Sequence, residues 1–138
     1  MNIKTSVFSK SQLAKSVVPI KVFILKIKNK LDIIFANEQE ILSLLNAKSI
    51  ESLTQFLKQL KKNIIITRGE KGAISFDNGQ VFECPAKKNL NIMDLTGAGD
   101  LFAAGYLHGV INKMNTGDSL SKGTEMSSKI IQKIGARI

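Results

Sequence analysis

Asp94-Leu-Thr-Gly-Ala-Gly-Asp100, running straight into Leu101-Phe-Ala-Ala-Gly-Tyr-Leu-His-Gly-Val-Ile111, is the stretch on which the reading of this chain turns. Thr96, Gly97, Ala98 and Gly99 are small, so backbone N–H groups there can approach an anion without side-chain interference. The apolar run after them has the composition of a buried helix, expected over Leu101–Lys113, whose positive N-terminal end would face the same anion. Donors fixed where negative charge develops are what a phosphoryl transfer needs, and a carboxylate at the lip of the turn, Asp100, can accept a proton from an attacking hydroxyl. No Lys-Ser/Thr pair follows the glycines, so this is not a Walker A loop. On spacing alone a capped turn with Asp100 as an N-terminal helix acid accounts for the same residues.

Working outward, Gly105 and Gly109 lower the helix propensity of that run, and close packing against a neighbour explains them. Asn115-Thr-Gly-Asp118 breaks the chain before a last helix, expected from about Ser119 to Lys133 with Gly135 as its C′ residue. Upstream, Asp77-Asn-Gly79 between Ala73–Phe76 and Gln80–Cys84 signals a β-hairpin. Asn63–Thr67 is a β-branched strand that ends in the Gly-punctuated turn Arg68-Gly-Glu-Lys-Gly72. Ser49 caps a helix over Ile50–Lys61, with Ile50, Leu53, Phe56, Leu57 and Leu60 on one face.

Leu31–Phe35 reads as a buried strand followed by a helix over Glu38–Leu45. Asn37 and Glu40 are spaced as a capping box. The same pair would lie at the C-terminal end of a strand, where α/β sheets bind ligands, and a carboxylate there could hold a Mg²⁺-bound water. Val22–Lys30 fits a helix end or an edge strand equally well. Strands separated by helices indicate an α/β fold with a mostly parallel sheet and one hairpin.

Composition bounds the rest. The chain has 138 residues, 43% hydrophobic and 22% charged, ordinary for one globular domain, and no apolar run approaches the ~20 residues of a membrane span. The net charge of +9 is unevenly spread: residues 1–30 hold seven lysines and no acid, and the remainder holds 13 basic and 11 acidic groups. This disfavours a nucleic-acid-binding reading, as does the lack of an aromatic platform, since Phe8 and Phe23 are the only aromatics in that segment. Residues 1–19 are expected to be a basic, poorly ordered segment, and residues 20–138 the domain proper. A single cysteine, Cys84, excludes an internal disulfide and suits a reducing, cytoplasmic setting. His108 stands alone and is read as a packing or surface residue.

In this order the pieces resemble the ribokinase-like (PfkB) family of carbohydrate and nucleoside kinases, in their adenosine-kinase-like or ribokinase-like form. The family signature D-T-x-G-A-G-D reads Asp94-Leu-Thr-Gly-Ala-Gly-Asp100 here; Asn37-Glu-Gln-Glu40 is similar to its N-x-x-E motif; Thr67-Arg-Gly-Glu-Lys-Gly-Ala73 is similar to its T-x-G-x-x-G strand-turn; Ile130–Arg137 is similar to the helix that closes its nucleotide pocket. The resemblance covers Leu31–Ile138, reaching back at most to Ile20, and residues 1–19 resemble nothing. It implies the C-terminal half of a three-layer α/β/α fold, from a family about twice as long.

The resemblance also implies roles. Asp100 would be the base on the acceptor hydroxyl. Gly97, Ala98 and Gly99 would form the anion hole. Thr67, Arg68, Gly69 and Gly72 would lie along ATP. Asn37 and Glu40 would position Mg²⁺ and phosphate, and Asp94 and Thr96 would match a monovalent-cation site such as one for K⁺. The implied partners are ATP and a small sugar or nucleoside, with no membrane. The alternative is a catalytically inactive remnant or nucleotide-binding module that works with a separately encoded N-terminal half.

Overall fold

The computed structural model describes residues 5–7 and 28–135. Its strands are β1 (Thr5–Val7), β2 (Ile33–Asn37), β3 (Asn63–Thr67), β4 (Ala73–Asp77) and β5 (Gln80–Cys84). Its helices are α1 (Glu38–Leu44), α2 (Ile50–Gln59), α3 (Ala98–Ile111) and α4 (Thr116–Ile130), with 3₁₀ turns at Lys28–Lys30 and Gly69–Lys71. The strands form one sheet in the order β1-β2-β3-β4-β5. The chain divides into two compact units, Met1–Thr67 with Ser75–Val81, and Arg68–Ile74 with Phe82–Ile138.

In the first unit β1, β2 and β3 are parallel neighbours. Ile33–Ala36 and Ile64–Ile66 are buried without alternation, the pattern of parallel strands covered on both faces. The crossover from β2 to β3 is α1 and α2, which bury Ile41 and Leu44, and Ile50, Leu53 and Leu57. Ser75, wholly buried, gives its hydroxyl to Asn63 Oδ1 at 2.9 Å, so its polar atom is satisfied inside the core. The β4–β5 turn takes φ of 51° at Asn78 and 86° at Gly79, the two positive values that a type I′ hairpin requires.

The strand expected over Leu31–Phe35 runs two residues further on. β2 pairs residue for residue with β3, Ile33 with Asn63 through to Asn37 with Thr67, so Asn37 ends the strand and caps α1 with no loop between. Within the segment set apart as residues 1–19, Thr5–Val7 is a strand in register with Ile33–Phe35. The other residues of that segment, and 20–27, lie outside the described residues.

The second unit is organised by α3 against α4. A Cβ at Gly105 would come within 2.6 Å of Lys122 O, one at Gly109 within 2.6 Å of Ser119 Oγ, and one at Gly123 within 2.8 Å of Phe102 O. The glycines expected to mark close packing therefore do so, with backbone lying almost on backbone. Phe102 and Tyr106 fill the space beside this contact, Tyr106 being 1% exposed. The expectation that α3 is buried all round does not hold. Ala104, His108 and Ile111 are exposed and Leu101 and Leu107 half-buried, because α4 covers one face only. α4 starts at Thr116, earlier than expected, because Asn115 Oδ1 accepts from Asp118 N–H and caps it.

Replacing Gly105 by Ala should lower stability by about 1–3 kcal/mol through overpacking, although Ala is favoured over Gly in a helix by about 1 kcal/mol. Urea unfolding of the two proteins checks this; a more stable variant would show that the helices are not in close contact.

Candidate phosphate site

Asp94–Asp100 lies within the second unit. Gly97 is the N-cap of α3 with φ of 77°, a left-handed conformation that costs a side chain but not glycine, and no side chain caps the helix. The helix consequently begins at Ala98, three residues before the expected Leu101, and Asp100 belongs to its first turn rather than to the loop. A negative charge there is favourable to the helix, so the capping reading of Asp100 and the catalytic one share a position. Ala98 N–H is returned to Leu95 O at 3.2 Å, while Gly99 and Asp100 carry the next N–H groups of an uncapped first turn. A Cβ at Gly99 would meet nothing within 4 Å, so the approach to this helix end is open. Asp100 is exposed.

The turn is held from behind. Asp94 Oδ1 accepts from Thr96 N–H at 2.8 Å, and Oδ2 accepts from Gly135 N–H at 3.0 Å. Met93 and Asp94 N–H both donate to Ile131 O, at 2.8 and 3.2 Å. Hydrogen bonds from Thr96, side chain first and backbone next, and from Gly135 N–H hold the Asp94 carboxyl below its ordinary value. Gly135 was expected as a helix C′ residue. Instead α4 ends at Ile130, residues 131–135 are turn and bend, and the positive φ of Gly135, 80°, serves to bring its N–H to Asp94. Of the segment read as a pocket-closing helix over Ile130–Arg137, only Ile130 is thus helical among the described residues.

The Arg68–Gly72 turn is in the same unit. Arg68 N–H donates to Gly72 O at 2.7 Å, and a Cβ at Gly72 would overlap the backbone of Cys84, Pro85 and Ala86, so only glycine closes this turn. The Arg68 side chain, 13% exposed, turns back on its own loop: it donates to Lys71 O at 3.4 Å and lies 3.8 Å from Glu83, with Nε buried and unpartnered. Gly69 is exposed, with open space where a Cβ would stand.

Asn37, Glu40 and Thr67 belong to the first unit. Asn37 Oδ1 accepts from Glu40 N–H at 2.8 Å and Glu40 Oε2 accepts from Asn37 N–H at 2.9 Å, a complete capping box. Asn37 and Thr67 are register partners, so they stand side by side at the C-terminal ends of β2 and β3. Among the described residues no three His, Cys, Asp or Glu side chains gather as a metal cluster. Mg²⁺ bound through substrate phosphates needs only one or two carboxylates, and Glu40 keeps Oε1 outside the capping box. The contribution of Gly135 was missed as a site feature because a positive-φ glycine after a helix is ordinarily a helix terminator.

An open, glycine-led helix N-terminus in an α/β chain is a place where an anion can be accommodated. The profile of the pfkB family carbohydrate kinases matches residues 4–138, and the chain belongs to this family. The match takes in most of residues 1–19, which resembled nothing by inspection. The chain is 34% identical over 113 residues to cytidine kinase of Thermococcus kodakarensis, covering 80% of this chain and 40% of that protein. A probable sugar kinase from Rhizobium etli superposes with a TM-score of 0.84 at 30% identity over 96% of this chain and 40% of that one. Adenosine kinase from Sinorhizobium meliloti superposes with a TM-score of 0.84 at 26% identity, over 97% and 41%. The chain thus matches about two fifths of the length of these relatives, which are sugar and nucleoside kinases, and its fold is the corresponding part of the ribokinase-like α/β fold. Among the described residues no helix is long and apolar enough to cross a membrane.

Because the Asp94 carboxyl is held below its ordinary value of 3.8, the bonds it accepts should be complete above that pH and lost only as pH falls through the depressed value. Amide chemical shifts of Thr96 and Gly135 followed through an acid titration should report one shared transition below 3.8. Separate transitions, or one above that value, would contradict the shared carboxylate.

Proposed function

We propose that the chain is the phosphate-handling part of an ATP-dependent phosphotransferase acting on a sugar or nucleoside hydroxyl. The observation that carries this reading is the uncapped first turn of α3, opened by Gly97 and holding Asp100, within a family-wide match. Within the stretch Gly97, Ala98 and Gly99, the backbone N–H groups of Gly97 and Gly99 stabilise charge on the transferring phosphoryl group, Ala98 N–H being given to Leu95 O. Asp100 takes the proton of the acceptor hydroxyl; that oxygen bonds to the γ-phosphorus as the bond to ADP breaks. Thr67, Arg68, Gly69 and Gly72 line the nucleotide side, Arg68 through its backbone and its hold on the turn.

Two structures that share the fold support the ligands. An Arabidopsis thaliana ribokinase holds ribose and ATP, and a Vibrio cholerae fructokinase holds fructose, ADP and a potassium ion. Asn37 and Glu40 would position Mg²⁺ with the phosphates. Asp94 and Thr96 are the positions for K⁺, which a carboxylate and a hydroxyl oxygen suit. A cytoplasmic location accords with this chemistry and with the free Cys84.

With ATP, Mg²⁺ and adenosine or ribose, the chain should release ADP, and Asp100→Ala should cut the rate by on the order of 10²-fold or more. An equal rate in that variant would remove Asp100 from the mechanism.

A second reading is favoured by one observation. Leu95 and Ile111 are 66% and 65% exposed, and Leu101, Ala104, Leu107 and Ile111 share one side of α3. An apolar stripe of this kind suits burial against more protein. On this reading the chain alone binds nucleotide without turnover, and turnover needs a separate N-terminal half. Mixing it with the portion of Thermococcus kodakarensis cytidine kinase outside the aligned region should then restore ADP release. Turnover by the chain alone refutes this reading.

A further inference from the structure

We propose that Glu83 is a positioning residue for nucleotide binding that acts through Arg68: its carboxylate holds the Arg68 guanidinium, and with it the Arg68–Gly72 turn, against the end of β5. This rests on the reading of that turn as the nucleotide side and adds to it a strand outside the turn.

The turn meets β5 in two ways. The first is backbone against backbone. A Cβ at Gly72 would overlap Cys84 O and come within 2.7 Å of Ala86 N and 2.8 Å of Pro85 C, so the turn rests directly on Cys84–Ala86. The second is the Arg68 side chain. Its Nη1 lies 3.8 Å from Glu83 Oε1, beside Cys84, and its Nη2 donates to Lys71 O at 3.4 Å. One guanidinium thus joins β5 to the far side of its own turn. Within the turn, Arg68 N–H donates to Gly72 O, Lys71 N–H to Arg68 O and Gly72 N–H to Gly69 O. These bonds fix the shape of the turn, and the contacts with β5 fix where it sits. Gly69, exposed and with open space where a Cβ would stand, is then presented on a fixed base. A binding loop held in place beforehand loses less freedom when its ligand arrives.

The two partners are unequal. The Arg68 side chain is largely buried and its Nε has no partner, so the cation has given up much of its hydration without full compensation. An anion beside it offsets that cost. Glu83, 61% exposed, remains hydrated and supplies the anion from the rim.

Positioning and plain charge predict opposite signs. ATP is an anion, so removing a carboxylate near it should by charge alone leave binding equal or tighter. Glu83→Gln in the full chain should instead weaken ATP binding about threefold, the scale of a partly exposed ion pair, and speed hydrogen exchange at the Arg68, Lys71 and Gly72 amides. Glu70→Gln removes the same charge from the exposed part of the same turn and should leave ATP binding equal or tighter. In an Arg68→Met background Glu83→Gln should cost nothing further. Arg68→Lys, which keeps the charge but lacks the planar fork, serves if the methionine variant does not fold, and there the cost of Glu83→Gln should shrink. Equal or tighter ATP binding by Glu83→Gln, unchanged exchange at the three amides, or the same threefold loss in the Arg68 variants overturns the proposal and leaves the nucleotide reading standing. A wild-type chain that binds no ATP overturns the nucleotide reading and this role with it.

Discussion

The contact that the second unit depends on is the approach of α3 to α4 across Gly105, Gly109 and Gly123. Each lacks the Cβ that would strike backbone or a short side chain on the facing helix at under 3 Å. Two helices brought this close leave little freedom in their ends. The N-terminus of α3 carries the glycine turn, and the C-terminus of α4 carries Ile131 and Gly135, the groups that hold Asp94 and its neighbour. The packing of small residues in the middle of the pair thus sets the relation between a helix N-terminus and the loop behind it. Helix propensity is sacrificed at three positions to obtain that relation.

In the first unit the organising constraint is register. Residue-for-residue pairing from Ile33–Asn63 to Asn37–Thr67 brings two strand ends level. Parallel strands buried on both faces cannot slip without moving every apolar side chain. Asn37 and Thr67 stand at the sheet end where α/β folds take their ligands. At Asn37 the structural and functional roles do not compete: one side-chain oxygen and one carboxylate oxygen close the capping box, and Glu40 keeps a second oxygen.

Much of this was legible because local chemistry and tertiary position agree. Ile64–Thr67 is β-branched throughout and lies in a strand over Asn63–Thr67, and Asn78-Gly79 supplies the two positive φ values of the β4–β5 turn. What the sequence did not disclose are choices made by distant partners. β2 extends to Asn37 because Thr67 is there to pair with it, not because Ala36 and Asn37 favour a strand. α3 starts at Ala98 because Gly97 can adopt a left-handed cap, which spacing alone does not distinguish from a loop glycine. Gly135 reads as a terminator until the position of Asp94 is known. The exposed side of α3 is apolar in sequence and reads as buried, since composition records what a face suits and not whether a partner covers it.

Gly97 and Gly99 offer N–H groups by virtue of what they lack, Ala98 N–H being given to Leu95 O, and nothing near Gly99 blocks access. Their direction comes from elsewhere: from Gly97 at the start of the helix, from Asp94 behind the turn, and from the glycine-packed pair that sets both. The charge of Asp100 is exposed and belongs to the first turn of α3, where a carboxylate also complements the helix N-terminus. Moving an acceptor hydroxyl to that carboxylate is a separate requirement, since effective general-base catalysis needs hydrogen-bond reach to the proton removed. On the function proposed above, these residues would prepare the phosphate side of the reaction, and the apolar flank of α3 is a surface suited to protein that would complete the acceptor side.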